Sequence, residues 1–176
     1  HQGVCADAIA TLEGISREAL DAHAADSQRK AEIAIKEGRF DRALIPVYNL
    51  DGSLALDREE FPRPGTTAES LAKLSASFPA VADYRHEEGS KTFRELINQK
   101  FPDLDIKHVH HAGNSSGVVD GAAAILIASE EYAQAHGMKA RARVVATANM
   151  GDDPTLMLNA PVPAAKKVLE KAGMAA

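Results

Sequence analysis

The segment Gly113–Ser129 constrains this chain more than any other part of it. Small and turn-forming residues run directly into an unbroken apolar stretch, Ala122–Ala128. Gly113, Gly117 and Gly121 recur at every fourth position, where glycine allows unusual backbone dihedrals and close approach by another group. Asn114, Ser115, Ser116 and Asp120 add short polar groups to the same loop. Ala122–Ala128 reads as a strand buried on both faces, as in a sheet covered by helices. A polar, glycine-rich loop beside a buried strand can bind a ligand, or can simply be a turn. It is not a phosphate loop, because no Gly-Lys-Ser/Thr follows, nor a dinucleotide fingerprint, because the glycines precede the strand.

The remaining elements follow from spacing and punctuation. Ala6–Leu12 is expected as a short helix closed by Gly14. Ser16 caps the next helix, with Glu18 in its first turn and Gly38 at its end. Leu20, Ala24, Ser27, Ala31, Ala34 and Ile35 give that helix a narrow stripe of mostly small residues. Leu44–Tyr48 and Leu54–Leu56 read as a hairpin around Asn49–Ser53. Short helices are expected over Ser70–Ser75 and Ser90–Lys100, the latter stopped by Pro102. Ile106–His110 and Ala142–Asn149 read as strands. Helices are expected over Glu130–His136 and over Pro161–Ala172, the second with proline at its entry and Gly173 beyond its end.

Composition limits the function classes. A chain of 176 residues can bury a sizeable core. A net charge of −5 with interspersed signs argues against nucleic-acid or acidic-membrane binding. The single cysteine excludes an internal disulfide framework. No apolar run approaches the roughly 20 residues needed to span a bilayer, and no signal-peptide pattern is present, so a cytoplasmic location is expected. The chain starts at His1 rather than methionine, which reads as a missing N-terminus.

Asn114-Ser115-Ser116-Gly117-Val118-Val119-Asp120-Gly121-Ala122-Ala123 resembles the Asn-Ala-Ser-Gly-Ile-Asn-Asp-Gly-Ala-Ala segment of the thiolases, the acetyl-CoA acyltransferases. Other segments resemble the same family in order. They are Gly14–Glu18 with Ser27–Ala31 and Gly38–Phe40; Arg63–Thr67 with Leu71–Leu74 and Phe78; and Asp153-Pro154 with Met157 and Pro161–Ala164. Absent are the family's Asn-Glu-Ala-Phe, Gly-His-Pro and Cys-x-Gly-Gly-Gly motifs. Cys5 lies where the family usually carries a non-catalytic residue, so no catalytic residue is assigned. The chain resembles the middle of a thiolase.

The resemblance implies a partial thiolase-like α/β fold. Residues 1–112 would form the loop domain that covers coenzyme A. Residues 113–138 would supply the last strand and helix of the N-terminal core, and residues 139–176 the start of the C-terminal core. It also implies a substrate-binding set. Arg63 would lie against the adenosine part, as a planar, permanently charged guanidinium can. Ser70 would face the coenzyme, and Phe78 would line the pantetheine tunnel. Ala112 and Ser116 would touch pantetheine, and Met157 would line the acyl pocket. His1 aligns with a histidine near the coenzyme. For each, the bland alternative is a solvated surface residue or ordinary packing.

His108 and His110 would share one strand face and could chelate a metal with help from Asp105. No third ligand is evident, so no metal is assigned. The His-Val-His run and the long Pro79–His111 stretch resemble thiolases acting on bulky acyl groups, including steroid side chains. The implied activity is cleavage of a 3-ketoacyl-CoA by coenzyme A, or the reverse condensation. The resemblance further implies that coenzyme A would be a co-substrate, that no cofactor would be needed, and that the intact enzyme would be a dimer or tetramer. A non-catalytic fragment binding coenzyme A or acyl-CoA, and a histidine metal-binding module, are the alternatives.

Overall fold

The computed structural model describes residues 1–175. By contacts the chain divides into two compact units, His1–Gly117 and the residues from Val118 onward.

The first unit is built on two helices. Helix α1 spans Gln2–Leu12 and begins earlier than expected, because the His1 ring caps it: Gly3 N–H donates to His1 Nδ1 at 3.1 Å. Gly3, Val4, Cys5, Asp7, Ala8 and Ala10 are all buried, so α1 is the unit's central helix. Its small residues permit close packing, and a methyl at Gly3 would collide with the Phe78 ring. Gly14, at φ +65°, takes the left-handed conformation that ends the helix. Helix α2 spans Arg17–Lys36, with Ser16 accepting from Ala19 N–H and Glu18 in the first turn. It buries only Asp21 and Ala34, and surface ion pairs (Asp26 with Arg29 and Lys30, Glu32 with Lys36) occupy its outer face.

The hairpin forms, but its first strand is shorter than the expected Leu44–Tyr48. Strand β1, Val47–Tyr48, pairs antiparallel with β2, Leu54–Leu56. Gly52 at φ +84° turns the chain, and the arm is exposed along its length. Helix α3 is Ala68–Leu71 rather than Ser70–Ser75, because Thr67 and Ser70 form a reciprocal capping box that fixes the start two residues earlier. Helix α4, Pro79–Ala82, was not expected, and its proline sits in the first turn, where a missing N–H costs nothing. Helix α5, Phe93–Asn98, lies inside the expected Ser90–Lys100 and is fixed by a Thr92–Glu95 capping box. Helix α1 packs on α4 and α5, and α2 packs on α3.

The second unit holds α6, Glu130–Ala135, and α7, Pro161–Ala172. Ser129 caps α6, and Gly137 at φ +61° follows it. The bounds of α7 match expectation, with Gly173 left-handed at its end. Lys171 donates to the Thr147 carbonyl at 3.1 Å, tying α7 to the extended segment before it.

Three expected strands do not form. Residues 106–110, 122–128 and 142–149 run without ladder partners. Nor is Ala122–Ala128 buried on both faces within this chain: Ile125, Leu126 and Ile127 are 77–85 % exposed, and in the third segment Val144 and Val145 are 69 % and 61 % exposed. A strand exists only against a neighbour, and among the described residues the β1–β2 pair is the only ladder. Mixed helix and sheet is therefore present, with helices dominant.

Candidate functional site

Two buried aspartates organise the first unit. Asp7, on α1, is fully buried. Its carboxylate accepts four bonds: from His108 Nδ1 and His110 Nδ1, each at 2.7 Å, and from the Val109 and His110 backbone N–H groups, each at 3.1 Å. Residues 108–110 are thus fixed to α1 without a sheet. His108 and His110 do share a side, as expected, but they face a carboxylate. Arg94 Nη2 lies 3.0 Å from His108 Nε2, so with Nδ1 donating to Asp7 the other ring nitrogen accepts from the guanidinium. Arg94 also pairs with Asp83, joining the end of α4 to α5. Among the described residues no group of three or more His, Cys, Asp or Glu side chains is arranged to hold a metal ion.

Asp21, on α2, is the second anchor. It accepts from Arg17 Nε at 2.8 Å, His111 Nε2 at 2.8 Å and Asn114 Nδ2 at 2.9 Å. Arg17 Nη2 continues to the carbonyls of Leu71 and Leu74, at 2.9 Å each. His111 is buried, and both its ring nitrogens are engaged, since Nδ1 accepts from Gly113 N–H at 3.0 Å. Asn114 Oδ1 accepts from His111 N–H at 2.8 Å, and Nδ2 also donates to the Val109 carbonyl. Leu71, Leu74 and His111 leave no room for a methyl at Gly113.

Burial acts on both carboxyls most strongly and pushes them up, but their hydrogen bonds outweigh it. The two imidazoles and two backbone amides hold Asp7 below the ordinary carboxylate value. Arg17, His111 and Asn114 do the same for Asp21.

The expected binding residues fall around this scaffold. Ala112 and Ser116 are exposed on the outer side of the loop whose inner residues, His111 and Asn114, are locked. The Ser116 hydroxyl makes only a long bond, 3.4 Å, to the Gly117 carbonyl. Arg63 is exposed, and its turn is held to α2: its N–H donates to Gln28 Oε1 at 2.8 Å, and the Gly65 amide bonds Glu32. A methyl at Gly117 would strike the Phe61 ring, so the turn carrying Arg63 adjoins the loop carrying Ser116. Ser70 lies beside Leu71 on α3, but its hydroxyl serves the capping box, donating to the Thr67 carbonyl at 2.8 Å. Phe78 is half-buried between α1 and the His1 ring, whose centroid is 5.5 Å away. His1 also meets Phe93 at 5.9 Å, and beside them lies an apolar hollow of about 620 Å³ lined by His1, Ala80, Val81, Tyr84, His86 and Phe93.

Met157 lies in the second unit. It is exposed and has φ +58°, the one non-glycine residue with positive φ among those described. The Leu158 N–H folds back on the Leu156 carbonyl, closing a three-residue turn centred on Met157. Sequence reasoning did not find Asp7, Arg17, Asp21 or Arg94. The signal available for the first three was a charged residue on the small-residue side of a helix, and it carries no partner information.

Residues 1–82 match the family profile described as thiolase, N-terminal domain. An acetyl-CoA acetyltransferase of Allochromatium vinosum is 41 % identical over 98 % of this chain and 38 % of its own length. The acetyl-CoA acetyltransferase of Thiocystis violacea is 40 % identical over 99 % of this chain and 39 % of its own. A 3-ketoacyl-CoA thiolase of Escherichia coli O1:K1 / APEC is 39 % identical, again over 99 % of this chain and 39 % of its own. The chain is thus similar over nearly its whole length to acetyl-CoA acetyltransferases, and its first 82 residues match the N-terminal domain of the thiolases. It spans about two fifths of the length of these relatives.

Proposed function

We propose that this chain supplies the coenzyme A and acyl-binding part of a thiolase that cleaves 3-ketoacyl-CoA with coenzyme A to acetyl-CoA and a shortened acyl-CoA, or runs the reverse condensation. The observation that carries this is the loop Ala112–Ser116, free on its outer side, locked within, and adjoining the turn of Arg63. Arg63 takes the adenosine end, Ala112 and Ser116 the pantetheine amides, Phe78 the tunnel wall, and Met157 the acyl group. Ser70 serves through its backbone segment, since its hydroxyl is engaged.

The nucleophile comes from outside this sequence. Cys5, its only cysteine, is buried within α1, which favours binding over chemistry for the chain alone. In the intact protein a cysteine thiolate would take the acyl group and a second cysteine would move protons. Coenzyme A enters as co-substrate, without a bound cofactor. The intact enzyme works as a dimer or tetramer in the cytoplasm; among the described residues no helix is long and apolar enough to cross a membrane. The His-Val-His run at 108–110 and the long Pro79–His111 stretch support a bulky acyl substrate of the steroid side-chain type.

The test is thiolysis by the intact enzyme, this chain alone being expected to be inactive, on acetoacetyl-CoA and on a 3-ketoacyl-CoA with a bulky ring-bearing tail. A higher kcat/KM for the bulky substrate, lowered by Met157→Asp, is the expected outcome. Absence of coenzyme A binding refutes the reading.

A further inference from the structure

We propose that Asp21 is a positioning residue for the pantetheine arm, acting through the Ala112–Ser116 loop; this rests on the coenzyme reading above. The carboxylate is buried, and each of its oxygens has a distinct task. Oδ1 takes both loop donors, His111 Nε2 and Asn114 Nδ2. Oδ2 takes Arg17 Nε, and Arg17 then reaches the carbonyls of Leu71 and Leu74. One charged group therefore sets the distance between α2, the end of α3 and the loop.

Ala112 and Ser116 have no comparable anchor of their own. Ala112 is exposed, and the Ser116 hydroxyl has only its 3.4 Å contact to the next carbonyl. Their placement is inherited from His111, Gly113 and Asn114, whose side-chain or backbone donors end on Asp21 or on the His111 ring it orients. A shift of the loop by a fraction of an ångström would misplace the Ser116 hydroxyl relative to an amide, because hydrogen bonds are sensitive to distance and angle.

The turn of Arg63 is held differently. Gln28 and Glu32, one and two turns further along α2 than Ala24, fix the backbone amides of Arg63 and Gly65. The two halves of the coenzyme would thus be positioned by separate anchors on one helix. This predicts a split that general loss of stability does not produce.

The experiment is titration calorimetry of the protein with two partial ligands, pantetheine and adenosine 3′,5′-bisphosphate. Asp21→Asn turns an amide N–H₂ toward existing donors and should weaken pantetheine about tenfold, the equivalent of about one hydrogen bond, with adenosine bisphosphate unchanged. Gln28→Ala should do the reverse. If Asp21→Asn does not fold by circular dichroism, Asn114→Ala, which removes the loop's bonds to Asp21, to the Val109 carbonyl and to the His111 N–H while leaving the Asp21 carboxylate in place, should give the same split. Equal loss of both ligands, or no loss of pantetheine, overturns the positioning role while leaving the coenzyme reading standing. A wild-type protein that binds neither ligand overturns both.

Discussion

At the scale of single residues, exposure separates side chains free to meet a ligand from those already engaged. Arg63 is exposed and its turn is held to Gln28 and Glu32 through backbone amides, not through the Arg63 side chain, so replacing that side chain should leave the turn intact. In the intact enzyme Arg63→Ala should raise KM for coenzyme substrates with kcat little changed, because the adenosine end is remote from the reacting thioester. The expected loss is about 1–2 kcal/mol, the worth of a cation–π contact, read as the ratio of kcat/KM values. Met157 presents the opposite case. Its φ of +58° is unfavourable for a branched-at-Cβ or bulky residue and ordinary for glycine. It is also exposed, so little packing is at stake. Met157→Gly should raise the unfolding free energy by about 1 kcal/mol of relieved strain, and with it the thermal midpoint, while lowering affinity for a long acyl chain. A lowered midpoint would mean that the thioether packs more than its exposure indicates.

Elements in this protein are joined more by polar side chains than by apolar faces. Helix α2 buries two residues in twenty, and one of those is Asp21. Its contact with α3 relies on Arg17 reaching the carbonyls of Leu71, at the end of that helix, and Leu74, just beyond it. The glycines of the loop allow the remaining close approaches. Gly113→Ala should cost about 1–3 kcal/mol, since the added methyl meets Leu71, Leu74 and the locked His111 ring together. Gly117→Ala should cost less, because Phe61 is exposed and its ring can swing away, but it should displace the Arg63 turn and so weaken adenosine bisphosphate. Chemical denaturation of the two variants, beside their binding constants, checks this ordering. A Gly117→Ala protein less stable than Gly113→Ala would show that the Phe61 contact is the tighter one.

For the whole molecule, two features dominate: buried carboxylates and uncovered apolar chain. Asp7 and Asp21 are held below the ordinary value of 3.8 in the folded protein, so the unfolded chain binds their protons more readily. Their contribution is fully present above that value and is lost as pH falls through the lower, folded values. Unfolding free energy should therefore drop steeply below about pH 4, and Asp7→Asn should flatten that acid limb while costing about 3–5 kcal/mol at neutral pH by leaving four donors against an amide. A pH profile unchanged in Asp7→Asn would show that other groups govern the acid transition. The second feature is the exposed run Ile125–Ile127 with Val144 and Val145. Extended, unpaired apolar chain recruits other chains. The isolated 176-residue polypeptide should associate in sedimentation, and a clean monomer with one cooperative transition at micromolar concentration would contradict this.

Local chemistry was determined by the sequence alone. Ser16, Gly14, Gly38, Gly52, Pro161 and Gly173 mark their caps and turns because each acts on the backbone within a few residues of itself. The hairpin and α7 were legible for the same reason, and the thiolase resemblance was legible because motif order is a property of the chain. The strands at 122–128 and 142–149 were not determined, because an apolar run specifies that a segment wants a neighbour without supplying one. The candidate site divides in the same way. Arg63, Ala112 and Ser116 could be named from their motif, and their exposure follows from loop chemistry. That Asp7 gathers His108 and His110, and that Asp21 joins Arg17 to His111 and Asn114, was decided only by tertiary structure. Those partners lie about a hundred residues away, and a buried carboxylate is tolerable only where the fold brings enough donors to it.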